Sequence, residues 1–80
     1  MIHEEIFSRL SRLCYKDVVL SFTLSDGTEK RRVGLLFPPL GGWRVDWCDF
    51  YTDDVEDIIE EEGKTTKIIL RDSAPQRLLG

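Results

Sequence analysis

The 80-residue sequence predicts a mainly β fold of the α+β class, with an N-terminal helix followed by a small antiparallel barrel of four or five strands. An amphipathic pattern occupies residues 2–14, and Asp26-Gly27 lies between two runs of alternating apolar residues. Asp-Gly is a favoured hairpin turn because both central residues of a type I′ turn have positive φ. Several short strands at close spacing favour a barrel, which hides the edges of its sheet.

The helix is predicted over residues 2–14 because Ile2, Ile6 and Leu10 recur every four residues and therefore share one face. Glu4 and Glu5 lie near its N-terminus, where the helix macrodipole favours negative charge. A helix of about three turns is marginal in isolation. We therefore expect its apolar face to pack against the sheet.

The first two strands are predicted at about 17–24 and 29–37, on either side of the Asp26-Gly27 turn. A two-residue turn at this dipeptide places Val18 opposite Leu35. In that register the apolar face of the second strand continues the apolar face of the first. The residues expected to face the core from the second strand are Val33, Leu35 and Phe37.

Two more strands are predicted at about 43–51 and 65–71. The first alternates, with Trp43, Val45 and Trp47 on one face, and the second is rich in β-branched residues. Residues 53–62 fit either a short helical turn or a strand, and the sequence leaves this open. A single small domain is expected over residues 1–71, followed by a flexible C-terminal tail at 72–80.

The composition argues against a membrane protein, a secreted protein and a disulfide-stabilised protein. No apolar run approaches the length of about 18 residues that a membrane span needs, and the acidic N-terminus lacks the pattern of a signal peptide. Cys14 and Cys48 are too few and too far apart to form a disulfide framework. We therefore expect a cytoplasmic protein with reduced thiols and no membrane partner.

Catalytic and metal-binding signatures are missing from the sequence. His3 is the single histidine, and no Gly-x-Ser-x-Gly nucleophile motif occurs. A zinc site needs about four Cys or His ligands, and the acidic residues do not follow the EF-hand pattern. The expectation is a protein that is not an enzyme and that uses no metal or cofactor.

Charge is distributed unevenly around a net value of −4. From Asp46 to Glu62 there are nine acidic residues and no basic residue, and aromatic residues lie among the first of them. Such a segment suits a protein partner with a basic surface, because charge orients association and an aromatic anchor supplies affinity. The residues predicted to bind this partner are Asp46, Asp49, Asp53, Asp54, Glu56 and Asp57, with Trp43, Phe50 or Tyr51 as the aromatic anchor.

The alternative prediction is a barrel that binds single-stranded nucleic acid. Small β-barrels can bind single strands by stacking bases on aromatic side chains within a basic groove. Here the nearby acidic run would repel phosphate. The residues that this alternative requires are Lys30, Arg32, Arg44, Trp43 and Trp47.

A family resemblance lies between Cys14 and Lys30, where a cysteine at the helix end is followed by an alternating strand, Asp-Gly and Glu-Lys. This order resembles the opening of Sm-like and SH3-like barrels. Among small acidic bacterial proteins it is similar to the inhibitors of the transcription termination factor Rho. The resemblance implies a regulator or inhibitor whose helix and acidic surface meet the partner, with Glu4 and Glu5 in matching positions.

Overall fold

The computed structural model describes residues 2–24, 26–38 and 41–71. It confirms a mainly β chain of the α+β class with an N-terminal helix, and the described residues form six strands. A short 3₁₀ turn precedes the fifth strand. The elements are α1 (His3–Leu13), β1 (Asp17–Thr23), β2 (Glu29–Phe37), β3 (Trp43–Val45), β4 (Cys48–Phe50), the 3₁₀ turn (Thr52–Asp54), β5 (Val55–Ile59) and β6 (Thr66–Leu70).

The described strands form one sheet, in the order β4-β3-β2-β1-β6-β5, which curls into a half-barrel. Neighbouring strands are antiparallel except for β1 and β6, which are parallel. The predicted strand number and the fully antiparallel arrangement are therefore wrong. The strand number is higher because the segment predicted as one strand over 43–51 contains both β3 and β4. The parallel pair arises because the chain passes from β4 at one edge to β5 at the other, and β6 then enters beside β1.

The core lies between α1 and the inner face of the curled sheet. Trp43 donates its indole N–H to Thr52 Oγ1 at 2.9 Å, and Phe7 of the helix packs edge-on against the Trp43 ring with centroids 5.5 Å apart. The helix buries Ile6, Leu10 and Leu13 as predicted, but Ile2, which was expected on the same face, precedes α1 and is 62% exposed. The buried apolar residues are Ile6, Leu10, Leu13, Val18, Leu20, Phe22, Leu36, Trp43, Val45, Phe50, Val55, Ile58, Ile68 and Leu70.

The register of the first hairpin differs from the prediction by one residue, since Val18 lies opposite Gly34 rather than Leu35. The loop is one residue longer than expected: Leu24 donates its N–H to the Thr28 carbonyl at 2.8 Å, and Gly27, at φ 90°, donates to the Leu24 carbonyl at 2.9 Å. Side chains alternate along a strand, so a one-residue shift exchanges the two faces of β2. The residues that therefore lie on the outer face and are exposed are Val33, Leu35 and Phe37.

The strand predicted over 43–51 is instead a tight hairpin of β3 and β4. Asp46 and Trp47 form its two-residue turn, with φ values of 47° and 67°. Positive φ at both central positions is the signature of a type I′ turn. Trp47 therefore leaves the face that it was expected to share with Trp43 and Val45, both of which are buried.

Residues 53–62, whose conformation the sequence left open, contain the end of the 3₁₀ turn and the whole of β5. At the outer edge of β5, Arg9 donates to the Ile58 carbonyl at 3.0 Å and to Glu60 at 2.6 Å, while Ile58 donates its N–H to Asp57 at 2.8 Å. These contacts block the edge against further strand pairing.

Among the described residues, no helix is long and apolar enough to cross a membrane. The predicted tail at 72–80 lies outside the described residues.

Candidate functional site: an aromatic groove on the outer face

A groove of about 610 Å³ opens on the outer side of the sheet. It lies where the end of β2 meets the turn after α1 and the tip of the β3–β4 hairpin, which rests against Gly34. This volume is within the usual range for ligand-binding clefts. The groove is lined by Tyr15, Gly34, Leu35, Phe37, Pro38, Arg44, Asp46 and Trp47.

Tyr15 enters the groove from the tight turn that ends α1. Lys16 donates its N–H to the Leu13 carbonyl at 3.0 Å, Cys14 has φ −55° and ψ 135°, and Tyr15 has φ 64°. This is the geometry of a type II turn, whose third position requires positive φ and is usually occupied by glycine. The Tyr15 N–H donates to the Leu36 carbonyl at 2.7 Å, which anchors the turn to β2.

Trp47 enters the groove from the second central position of the type I′ hairpin turn, where glycine is again the preferred residue. Its side chain is 86% exposed. A bulky residue in the left-handed region costs about 1–3 kcal/mol, and such strain is concentrated at functional sites. All the non-glycine residues with positive φ in the described chain line this groove: Tyr15, Asp46 and Trp47.

Charged groups flank the aromatic rings. Arg44 donates to both carboxylate oxygens of Asp49, from Nε at 2.5 Å and from Nη2 at 3.2 Å, and its guanidinium lies 5.8 Å from the centre of the Trp47 ring. This hydrogen bonding lowers the pKa of Asp49 and raises that of Arg44. The Asp46 carboxylate makes no hydrogen bond or ion pair with any residue in the described ranges.

Of the three candidate aromatic anchors, Trp43 and Phe50 are only 4% and 2% exposed and belong to the core. Tyr51 remains exposed. Asp54, predicted to bind the partner, is buried, and its carboxylate accepts the N–H of Tyr51 at 2.7 Å. This hydrogen bond caps the 3₁₀ turn that precedes β5.

The other predicted acidic residues differ in whether their carboxylates form hydrogen bonds or ion pairs with neighbouring residues. Asp53 lies 2.6 Å from Nδ1 of His3, Asp49 is paired with Arg44, and Asp57 accepts the backbone N–H of Ile58. The Glu56 carboxylate, like that of Asp46, has no such contact within the described part of the chain. The acidic run is therefore largely committed to local contacts.

Two of the three basic residues of the nucleic-acid alternative, Lys30 and Arg32, do not line the groove. Lys30 and Arg32 alternate with the outer-face residues of β2 and share their face with buried Leu36. Arg44 reaches the groove but is paired with Asp49, and Trp43 is buried. Of the residues predicted for base stacking, Trp47 remains available.

Sequence reasoning missed Tyr15, Leu35 and Phe37 as site residues. Leu35, Leu36 and Phe37 are consecutive apolar residues, so alternation alone cannot decide which of them face the core. Reading the loop as three residues that end in Gly27 would have given the observed register, since hairpin loops of that length commonly end in a glycine with positive φ. Nothing in the sequence indicated a turn at Tyr15.

In the described ranges, no group of three or more His, Cys, Asp or Glu side chains is arranged to hold a metal ion, and Cys14 and Cys48 are free thiols. Comparisons of the chain with protein families, with curated proteins and with solved structures find no match. The chemistry of the groove must therefore be inferred from its own residues.

Proposed function

We propose that this chain is a non-enzymatic, cytoplasmic protein-binding module, a regulator or inhibitor that engages a basic surface of a partner protein through the aromatic groove. One observation carries the proposal: Tyr15 and Trp47 both occupy turn positions that favour glycine, and both line the same groove. Side chains that cost stability where they stand are expected at a functional site.

Exposed aromatic residues are effective anchors in protein interfaces, because a large rigid ring is desolvated at a small cost in conformational entropy. Trp47, Tyr15 and Phe37 supply such surface beside the apolar side chain of Leu35. The net charge of −4 supports a basic partner, since opposite charge speeds and orients encounter. The groove would supply affinity, and the acidic residues would steer the partner.

The test is capture of proteins from cell extract by the immobilised full chain, with and without nuclease, compared with two variants. Trp47→Gly removes the ring and places glycine at a position that favours it. Glu62→Gln removes one exposed negative charge outside the groove and outside the predicted binding residues. We expect a nuclease-resistant protein that is retained by the wild type and by Glu62→Gln but lost from Trp47→Gly.

Two outcomes would contradict the proposal. Equal retention by Trp47→Gly would exclude the groove as the binding site. Loss of every captured protein on nuclease treatment would favour the nucleic-acid alternative, in which Lys30, Arg32 and Arg44 contact a single strand.

The resemblance to Rho inhibitors remains a prediction, as does the likeness to Sm-like and SH3-like barrels. It would make the termination factor the partner and would add the exposed residues Glu4 and Glu5 of α1 to the interface. Purified factor passed over the same immobilised chains tests it. Binding that needs Trp47 would support both the identity of the partner and the use of the groove.

A further inference from the structure

Among the described residues that line the groove, one charged side chain lacks a partner of opposite charge. Arg44 and Asp49 form a two-point ion pair and neutralise each other, which leaves the Asp46 carboxylate as a free negative charge among the described lining residues. Asp46 directly precedes Trp47 in the same turn, and both residues line the groove. A carboxylate beside an aromatic ring favours a cationic ligand.

The groove also has an apolar part to its lining. Leu35 and Phe37 at the end of β2, with Pro38 directly after them, form this part. Lysine and arginine pack their methylene stems along such surfaces while the charged head remains near water. The shape of the groove therefore suits a basic side chain with its stem on β2 and its head near Asp46.

Arg44 discriminates between the two basic side chains. Its guanidinium already lies over the Trp47 ring, so an incoming arginine would compete with it for stacking. A lysine ammonium is compact, donates in several directions and needs one carboxylate rather than a planar stacking face.

We propose that the groove receives a lysine side chain of the partner protein, with its ammonium at Asp46 and Trp47 and its methylene stem along Leu35 and Phe37. This inference rests on the proposed function and names the group that the groove recognises. It adds Asp46 as the residue that selects for charge, while the aromatic rings supply contact area.

The experiment compares two blocked pentapeptides, Gly-Gly-Lys-Gly-Gly and the same peptide with norleucine, which keeps the aliphatic chain and lacks the charge. Binding to the ¹⁵N-labelled full chain is followed at the indole N–H of Trp47. We expect the lysine peptide to bind about five- to tenfold more tightly than the norleucine peptide. Asp46→Asn should reduce this preference to about onefold, and Glu62→Gln, which removes an exposed charge outside the groove, should leave it unchanged.

Asparagine tolerates positive φ at least as well as aspartate, so Asp46→Asn keeps the turn. Equal affinity for the two peptides, or an unchanged preference in Asp46→Asn, would overturn the inference. An apolar groove that binds both peptides equally would leave the proposed function standing. The loss of protein capture by Trp47→Gly is a separate measurement, so the two ideas can fail independently.

Discussion

The ring of Tyr15 packs edge-on against Phe37, with centroids 5.6 Å apart and planes inclined at 79°. This contact joins the turn that ends α1 to the last residue of β2 on the outer face of the sheet. It gives the groove one fixed wall, and the hairpin turn that carries Trp47 gives the other. Both walls depend on backbone conformations that glycine would adopt more readily.

Glycine at position 47 should increase stability. Trp47 is largely exposed, so its removal sacrifices little packing. Relief of about 1–3 kcal/mol of backbone strain exceeds the cost of about 0.5–1 kcal/mol for the added flexibility of glycine. We expect the free energy of unfolding of Trp47→Gly to rise by about 1 kcal/mol in urea denaturation.

Trp47→Ala is the matched control, since alanine removes the ring but retains the strained backbone. It should show no gain in stability. Equal gains in Trp47→Gly and Trp47→Ala would mean that loss of the exposed ring, rather than relief of strain, is responsible.

The ion pair of Arg44 and Asp49 predicts a specific pH dependence. Hydrogen bonding from Arg44 lowers the pKa of Asp49 in the folded chain. The pair therefore contributes its full stabilisation above the ordinary aspartate pKa of about 3.9, and that contribution is lost as the pH falls through the lowered value. Carboxyl ¹³C NMR should show that Asp49 titrates below the ordinary aspartate pKa in the wild type. In Arg44→Gln it should titrate at that ordinary pKa.

Asp26 provides the internal control for this titration, because its pKa is lowered by hydrogen bonds from Thr28 and not by Arg44. Its titration should be the same in both proteins. An Asp49 that titrates at its ordinary value in the wild type would show that the pair is absent in solution.

Asp54 should behave as a structural residue rather than as part of a binding surface. Its buried carboxylate accepts the Tyr51 N–H, and removal would leave that donor without its partner. We expect Asp54→Ala to lower the free energy of unfolding by about 1–3 kcal/mol. The neighbouring Asp53→Ala, which loses an exposed contact with His3, should cost no more than about 1 kcal/mol. Similar costs for the two variants would be inconsistent with this assignment.

Arg9 should protect the edge of β5, since it donates to the outward carbonyl of Ile58 and to Glu60. Arg9→Ala would expose unpaired backbone groups to other molecules. We expect concentration-dependent self-association in sedimentation velocity and a loss of about 1–2 kcal/mol of stability. Arg12→Ala, on the exposed side of the same helix, should match the wild type in both sedimentation and stability. If both variants sediment alike, the edge is not protected by Arg9.

The helix and the approximate positions of the strands could be predicted from the sequence because amphipathic and alternating patterns report burial directly. The path of the last two strands could not. Whether β6 pairs with β1 in parallel depends on where the chain crosses after β4, which no local pattern specifies. Trp43 is buried on the face that alternation predicts for it and Val45, but its contact with Phe7, across 36 positions of sequence, is not specified by any local pattern.

The groove could not be predicted because it depends on the register between β1 and β2, which differs by one residue from the predicted register. Asp26-Gly27 indicated a two-residue turn, while Gly27 instead ends a loop of three residues. The type I′ turn forms at Asp46 and Trp47, a dipeptide with poor propensity for it. Asp26-Gly27 fits a loop of two or of three residues, and the local sequence does not choose between them. At Asp46 and Trp47 tertiary packing overrides the local turn preference, and together these two differences produce the exposed aromatic surface.

The most direct test of the binding groove is a map of backbone amide shifts in the ¹⁵N-labelled chain during titration with a lysine-rich peptide at several salt concentrations. We predict that the largest shifts cluster at the groove and weaken as salt rises. Shifts confined to the acidic segment Glu60–Glu62, or to Lys30 and Arg32, would contradict the account. The residues expected to shift are Tyr15, Leu35, Phe37, Asp46 and Trp47.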